Sequence, residues 1–183
     1  DAIPELARKY GLNVALGTWV DSNAERSAAH LEKMLHIAAR SRNVVRLIVG
    51  NEVLLRGDIP VQELIAYLDK ANAKLNIPIS TAEPPYIWKK HPELVEHVDY
   101  ITVHLLPYWE GFSVEESLKY IVNSVNELKQ LYPGKPIVIA EVGWPSDGRT
   151  RASAVASTSN QAMFLRRFLD RALPSPHREA TVR

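Results

Sequence analysis

Two stretches of this sequence end an apolar run on a glutamate. In Ile137-Val138-Ile139-Ala140-Glu141-Val142-Gly143-Trp144-Pro145-Ser146 a β-branched run, with the pattern of a strand buried on both faces, places Glu141 where the run ends. An ionised glutamate there is costly unless it is paired, hydrogen-bonded or used, so Glu141 is a candidate for chemistry; the plain alternative is a strand end that reaches solvent. Asn43-Val44-Val45-Arg46-Leu47-Ile48-Val49-Gly50-Asn51-Glu52-Val53 repeats the grammar and leads into a loop with Gly57 and Asp58. If both runs belong to one parallel sheet, both carboxylates emerge at its C-terminal edge, where α/β folds place their active sites. Two glutamates facing each other there are the minimum apparatus for glycoside hydrolysis, one as proton donor and one as nucleophile or base.

The elements that must position them alternate. Ile3 to Tyr10 reads as the end of a helix stopped by Gly11, and Leu12 to Val20 as a strand. Asp21, Ser22 and Asn23 offer cap chemistry for a helix from Ala24 to Ser41, with Leu31, Met34, Leu35 and Ala38 on one face. After the Glu52 strand, Val61 to Leu75 carries Leu64, Ile65, Leu68 and Ala71 at helical spacing. Ile77 to Glu83 is a short strand that again ends in a carboxylate, Tyr86 to His97 a short helix broken by Pro92, and Asp99 to His104 the next strand. Its exit, Leu105 to Gly111, is dense in aromatics; helices are expected from Val114 to Leu131 and from Ala154 to Ala172. Five strands alternating with helices imply a parallel sheet with right-handed crossovers, either an open doubly wound sheet or part of a (β/α)8 barrel. No glycine-rich phosphate loop follows any strand, which disfavours a nucleotide-binding version.

Length and composition narrow the setting. The 183 residues suffice for one sizeable core and nothing in them marks a second domain. A complete barrel takes about 250 residues, and five strands cannot close one. Lys and Arg number 22 against 21 Asp and Glu, so the net charge of +1, with no run of like charge, argues against nucleic acid and against a membrane surface as partners. The absence of cysteine excludes disulfides, thiolate ligands and a cysteine nucleophile. His, Asp and Glu are too dispersed for a recognisable metal site, and no metal or cofactor is expected. Position 1 is not a methionine, so the native N-terminus is expected to have been removed or left out, and any export signal there would have gone with it. Residues 174–183 show no strand pattern and are expected to be a disordered or foreign tail after a partial domain over 1–173.

Val49-Gly50-Asn51-Glu52, taken with Ala140-Glu141-Val142-Gly143-Trp144-Pro145-Ser146, resembles glycoside hydrolase family 17, the family of β-1,3-glucanases and related transglycosylases. Glu52-Val53-Leu54-Leu55-Arg56-Gly57-Asp58 and Ser80-Thr81-Ala82-Glu83-Pro84 look most like its bacterial branch, found at the N-terminal side of membrane-bound β-glucan synthases. The resemblance runs from about Ile3 to Leu173. It implies a (β/α)8 barrel of the large retaining clan, incomplete here, in which the strands at Leu12, Val44, Ile79, Ile101 and Val138 are the third to seventh. It implies Glu52 as general acid/base and Glu141 as the nucleophile of a glycosyl-enzyme intermediate. Asn51 would bond the sugar 2-hydroxyl; His104 and Tyr108 could orient the nucleophile, though His104 is also readable as a satisfied buried histidine.

Trp19, Tyr86, Trp88, Trp109 and Trp144 could offer flat apolar faces to pyranose rings, with Trp109 and Trp144 preferred because each follows a strand end. Glu83 is expected either to bind a sugar hydroxyl or only to satisfy nearby backbone, and Arg149 and Arg151 to lie in a solvated loop. The partner implied is a β-glucan oligo- or polysaccharide, met in the periplasm or outside the cell, with the chain itself part of a larger membrane-bound glucan synthase. Two other readings stay open: a glycosidase of the same clan acting on another β-glucan, and a non-catalytic carbohydrate-binding remnant whose missing strands leave sheet edges uncovered.

Overall fold

The computed structural model describes residues 2–172, so the tail expected at 174–183 lies outside the described residues. In chain order the elements are α1 (Ala2–Lys9), β1 (Val14–Thr18), α2 (Ala24–Arg40), β2 (Val44–Asn51), α3 (Val53–Arg56), α4 (Val61–Asn72), β3 (Ile79–Glu83), α5 (Pro85–Lys90), a 3-10 turn (Pro92–His97), β4 (Ile101–Leu105), α6 (Ser117–Leu131), β5 (Ile137–Val142) and α7 (Thr158–Ala172). The strands form one five-stranded sheet in the order β1-β2-β3-β4-β5. The β1–β2, β2–β3 and β3–β4 pairs are parallel. That order decides between the two architectures. A doubly wound sheet reverses direction at a switch point, whereas strands that add one after another in a single direction are the winding of a barrel. The chain is therefore an incomplete (β/α) barrel.

It packs as two compact units: residues up to His104 together with Leu128–Ala140, and Leu105–Glu127 together with the chain from Glu141 onward. In the first unit, α2 begins because the Asn23 side chain accepts a hydrogen bond from the Arg26 N–H at 2.9 Å. Its buried face is Leu31, Met34, Leu35 and Ala38, and α4 answers with Val61, Leu64, Leu68 and Ala71. Between the helices and the sheet interior, β3 and β4 are buried along their whole length. Several polar groups caught in that core are satisfied: Trp88 Nε1 donates to the Thr102 carbonyl at 3.0 Å, the Tyr100 hydroxyl to the Leu47 carbonyl at 2.9 Å, and the Ile79 N–H to Asp99 Oδ2 at 2.7 Å, whereas the buried Thr81 and Thr102 hydroxyls have no hydrogen-bond partner among the described residues.

The structure departs from the sequence expectations in four places. The loop after Glu52 opens with a helical turn, α3. The helix expected from Val114 starts at Ser117, after a turn in which Ser113 Oγ accepts from the Glu116 N–H at 3.3 Å. The helix expected from Ala154 starts at Thr158, because Ala154 is held in a bridge to Arg151 and Ser157 Oγ caps the new turn through the Asn160 N–H at 3.1 Å. Finally, the Glu141 strand is not buried on both faces: β5 is half-buried to exposed and Glu141 itself is exposed. As the last strand in the order, β5 has a single neighbouring strand among the described residues, whereas β3 lies between β2 and β4.

Candidate active site

In the first unit the site is built on the end of β2. Gly50 has φ of 81°, and Glu52 stands in the left-handed region at φ 54°, ψ 33°. A Cβ on Gly50 would lie 2.4 Å from Val53 Cγ2, so glycine is required both by conformation and by space. These two departures turn the chain out of the strand and present Glu52 at its end. The Glu52 N–H donates to the Ala82 carbonyl at 2.7 Å, which ties the turn to β3.

The Glu52 side chain keeps 26% of its surface exposed, while His104, on β4, is buried. His104 Nδ1 lies 2.8 Å from Glu52 Oε1. One carboxyl oxygen is thereby engaged from beneath, and the group remains reachable from solvent. That is the arrangement a proton donor needs, a fixed carboxyl with one face free for a ligand. His104, expected to orient Glu141, has this imidazole nitrogen on the other glutamate.

Glu83, at the end of β3, has 0% relative exposure. Its Oε1 accepts from the Leu54 N–H at 2.8 Å and its Oε2 from the Leu55 N–H at 3.3 Å. Of the two roles expected for it, this is the backbone one. Burial pushes its pKa up to about 7, against the lowering effect of those two N–H groups, with the neighbouring Glu52 adding to the rise and Arg56 opposing it. The carboxylate that is buried in this sheet is thus Glu83 and not Glu141.

Arg56 carries a role that the sequence did not disclose. It donates to the Asn51 carbonyl, to the Val20 carbonyl at 3.0 Å and to Asp58 Oδ2 at 2.8 Å, and its guanidinium sits 4.3 Å from the centre of the Trp19 ring. It therefore staples the β2 end to the β1 exit, and the signal for it was the Arg56-Gly57-Asp58 run. Trp19 is 47% exposed and donates through Nε1 to Asp21 Oδ2 at 2.9 Å; Tyr86 is exposed, while Trp88 is wholly buried and holds core.

In the second unit Tyr108 is the centre of an aromatic cluster. It meets Trp109 edge-on at 5.4 Å and Trp144 at 5.7 Å, and Trp144 packs on Phe164 at 5.9 Å. The Tyr108 hydroxyl donates to the Arg149 carbonyl. Trp144, preferred as a platform for sugar, is only 4% exposed; its Nε1 donates to the Val155 carbonyl at 3.0 Å, so its ring serves the packing of the loop that follows Glu141. Trp109 is 56% exposed. Arg151 donates to its carbonyl at 3.2 Å and lies 5.1 Å from its ring centre, so this part of the expected solvated loop supports Trp109. Among the described residues no group of His, Asp and Glu is placed to hold a metal ion.

Sequential parallel strands with helical crossovers, and strand ends that carry carboxylates, define the class as a (β/α)-barrel glycoside hydrolase. Within it, the chain belongs to the BtgE/BtgC glycoside hydrolase domain family, whose model matches residues 1–176. It is similar to a glycoside hydrolase family 17 β-1,3-glucanosyltransferase from Rhizomucor miehei, with 29% identity and a TM-score of 0.82, covering 96% of this chain and 71% of that one. It is equally similar to an active-site mutant of the Rhizomucor miehei β-1,3-glucanosyltransferase in complex with laminaritriose, with 30% identity and a TM-score of 0.82, covering 93% of this chain and 66% of that one. Among curated relatives, a probable β-glucosidase btgE of Aspergillus fumigatus is 25% identical over 92% of this chain. The chain spans 31% of that relative's length.

Proposed function

We propose that this chain carries the catalytic site of a retaining β-1,3-glucan-active enzyme, on a partial (β/α)8 domain over residues 1–173. The observation that carries the proposal is Glu52 itself: a partly exposed carboxyl at a strand end, in a left-handed turn that a glycine introduces, braced by a buried histidine at 2.8 Å. The laminaritriose complex of the Rhizomucor miehei glucanosyltransferase supports a β-1,3-linked glucan as the ligand.

In the proposed reaction Glu141 attacks the anomeric carbon as the glycosidic C–O bond breaks, and Glu52 gives its proton to the departing oxygen. A covalent glycosyl-enzyme results. Glu52, now a carboxylate, then takes a proton from water or from a sugar hydroxyl as that oxygen displaces Glu141, restoring both groups. Such a mechanism needs the carboxyl groups about 5 to 5.5 Å apart. Asn51, next to Glu52, is assigned to the sugar 2-hydroxyl, and the exposed face of Trp109 to a pyranose ring. A place outside the cytoplasm, where glucan is met, goes with this reading; among the described residues no helix is long and apolar enough to cross a membrane.

The test is incubation of the chain with a laminari-oligosaccharide series beside Glu52→Gln and Glu141→Gln, with product lengths read by mass. Shorter products alone mean hydrolysis and longer products mean transfer, both abolished in the two variants. A folded chain that turns over no oligosaccharide overturns the proposal.

A further inference from the structure

The reaction proposed above leaves Glu83 without a part, although it is a wholly buried carboxyl beside the site. Glu52 is the pivot of a strand-to-helix turn and its backbone is left-handed, a conformation that a residue with a side chain holds only when its surroundings impose it. The end of β3 supplies the constraint at two points. The Ala82 carbonyl takes the Glu52 N–H at 2.7 Å, and the Glu83 carboxyl takes the next free donors of α3, the Leu54 N–H at 2.8 Å and the Leu55 N–H at 3.3 Å. The Glu83 side chain that makes these contacts is sealed from solvent.

We infer that Glu83 is a positioning residue of the acid/base: by gripping the Leu54 and Leu55 N–H groups it locks the left-handed turn and so sets the direction in which Glu52 presents its carboxyl beside His104. The inference rests on the assignment of Glu52 as acid/base, and Glu83 itself touches no substrate.

The grip depends on protonation. A carboxylate accepts both N–H groups, whereas the neutral acid keeps one carbonyl acceptor and turns its other oxygen into a donor. The groups that face Glu83 are Glu52, whose like charge disfavours its ionisation, and Arg56, which favours it; His104 stands across Glu52. With the carboxyl pushed up to about 7 by burial, the turn is held by the anion above neutrality and is released in part below it.

Glu83→Gln keeps the size and one acceptor but sets an NH2 against one of the backbone donors. The expected result is a folded variant whose kcat on laminari-oligosaccharides falls about 10- to 100-fold, with KM within about 2-fold, because the damage is to alignment and not to binding. In 15N-labelled wild-type protein the Leu54 and Leu55 amide resonances are expected to titrate together with a midpoint near 7, and in Glu83→Gln to stay flat over that range. A folded Glu83→Gln with wild-type kcat overturns the inference, and so do Leu54 and Leu55 amides that fail to titrate in the wild type. If the variant does not fold, the wild-type titration decides alone. Absence of turnover by the wild type strikes the assignment of Glu52, and the amide titration still decides whether Glu83 holds the turn.

Discussion

At the scale of single residues, the site is a set of constraints on Glu52. Gly50 admits no Cβ: an alanine there takes on the left-handed penalty of about 1 to 2 kcal/mol and an overlap with Val53 that adds roughly 1 to 3 kcal/mol. Gly50→Ala is expected to lower stability by roughly 2 to 5 kcal/mol in urea unfolding, and a loss under about 1 kcal/mol would contradict the close approach described. Glu83 makes stability depend on pH, and the sign follows from its raised pKa. The unfolded carboxyl titrates near its ordinary value of 4.5 and the folded one near 7, so its favourable contribution is complete below about 4.5 and is lost as pH rises through 7. The size is on the order of 3 kcal/mol. Unfolding free energies measured from pH 4 to pH 8 should therefore carry a downward step that Glu83→Gln lacks; parallel curves for the two proteins would refute it. Glu141, exposed on β5, is a different case. Its substitution by Gln is expected to change stability by no more than about 0.5 kcal/mol while abolishing turnover, a split that thermal melting beside the oligosaccharide assay measures.

At the scale of elements, the order of the strands matters more than their lengths. The central strands β3 and β4 are buried along their whole length, and hydrogen bonds reach them from neighbouring segments, as Trp88 Nε1 does to the Thr102 carbonyl. Tyr100 reaches the Leu47 carbonyl from the residue before β4, and burial raises its hydroxyl to about 12, so it stays a donor throughout the physiological range. Tyr100→Phe keeps the ring and removes only that hydrogen bond, at an expected cost of about 1 to 3 kcal/mol. A chemical-denaturation midpoint equal to wild type would show that the Leu47 carbonyl finds another donor. β5 is held on one side only, which explains why the run most apolar to the eye is among the least buried of the strands.

At the scale of the molecule, family membership and the barrel winding stand together, while the chain spans 31% of the length of the Aspergillus fumigatus relative. Under the reaction proposed above, the outcome depends on the groups that meet the second substrate. The expectation is that added laminari-oligosaccharide acceptor shifts products toward longer chains if a sugar hydroxyl competes with water for the glycosyl-enzyme, and leaves the product lengths unchanged if only water enters. Mass profiles at rising acceptor concentration measure it.

The alternation of strands and helices, the two glutamate-ended runs and the family were all legible from residue order, because each depends on local periodicity or on a short contiguous motif. The Asn23 cap, the buried faces of α2 and α4 and the stop at Gly11 were legible for the same reason. Burial was not. Ile137 to Ala140 is apolar throughout and Ile79 to Ala82 carries Ser80 and Thr81, yet Glu83 is sealed and Glu141 is exposed: β3 lies between two strands and β5 beside one, a difference that the composition of the runs does not carry. The same holds for Trp109 and Trp144, alike in following strand ends, of which only the first keeps an open face. Sequence by itself determined which carboxyls end strands; only the tertiary structure decided that one of them braces the backbone, that a histidine 52 residues away touches another, and which ring is left for a ligand, because those outcomes are contacts between segments that the chain brings together only by folding.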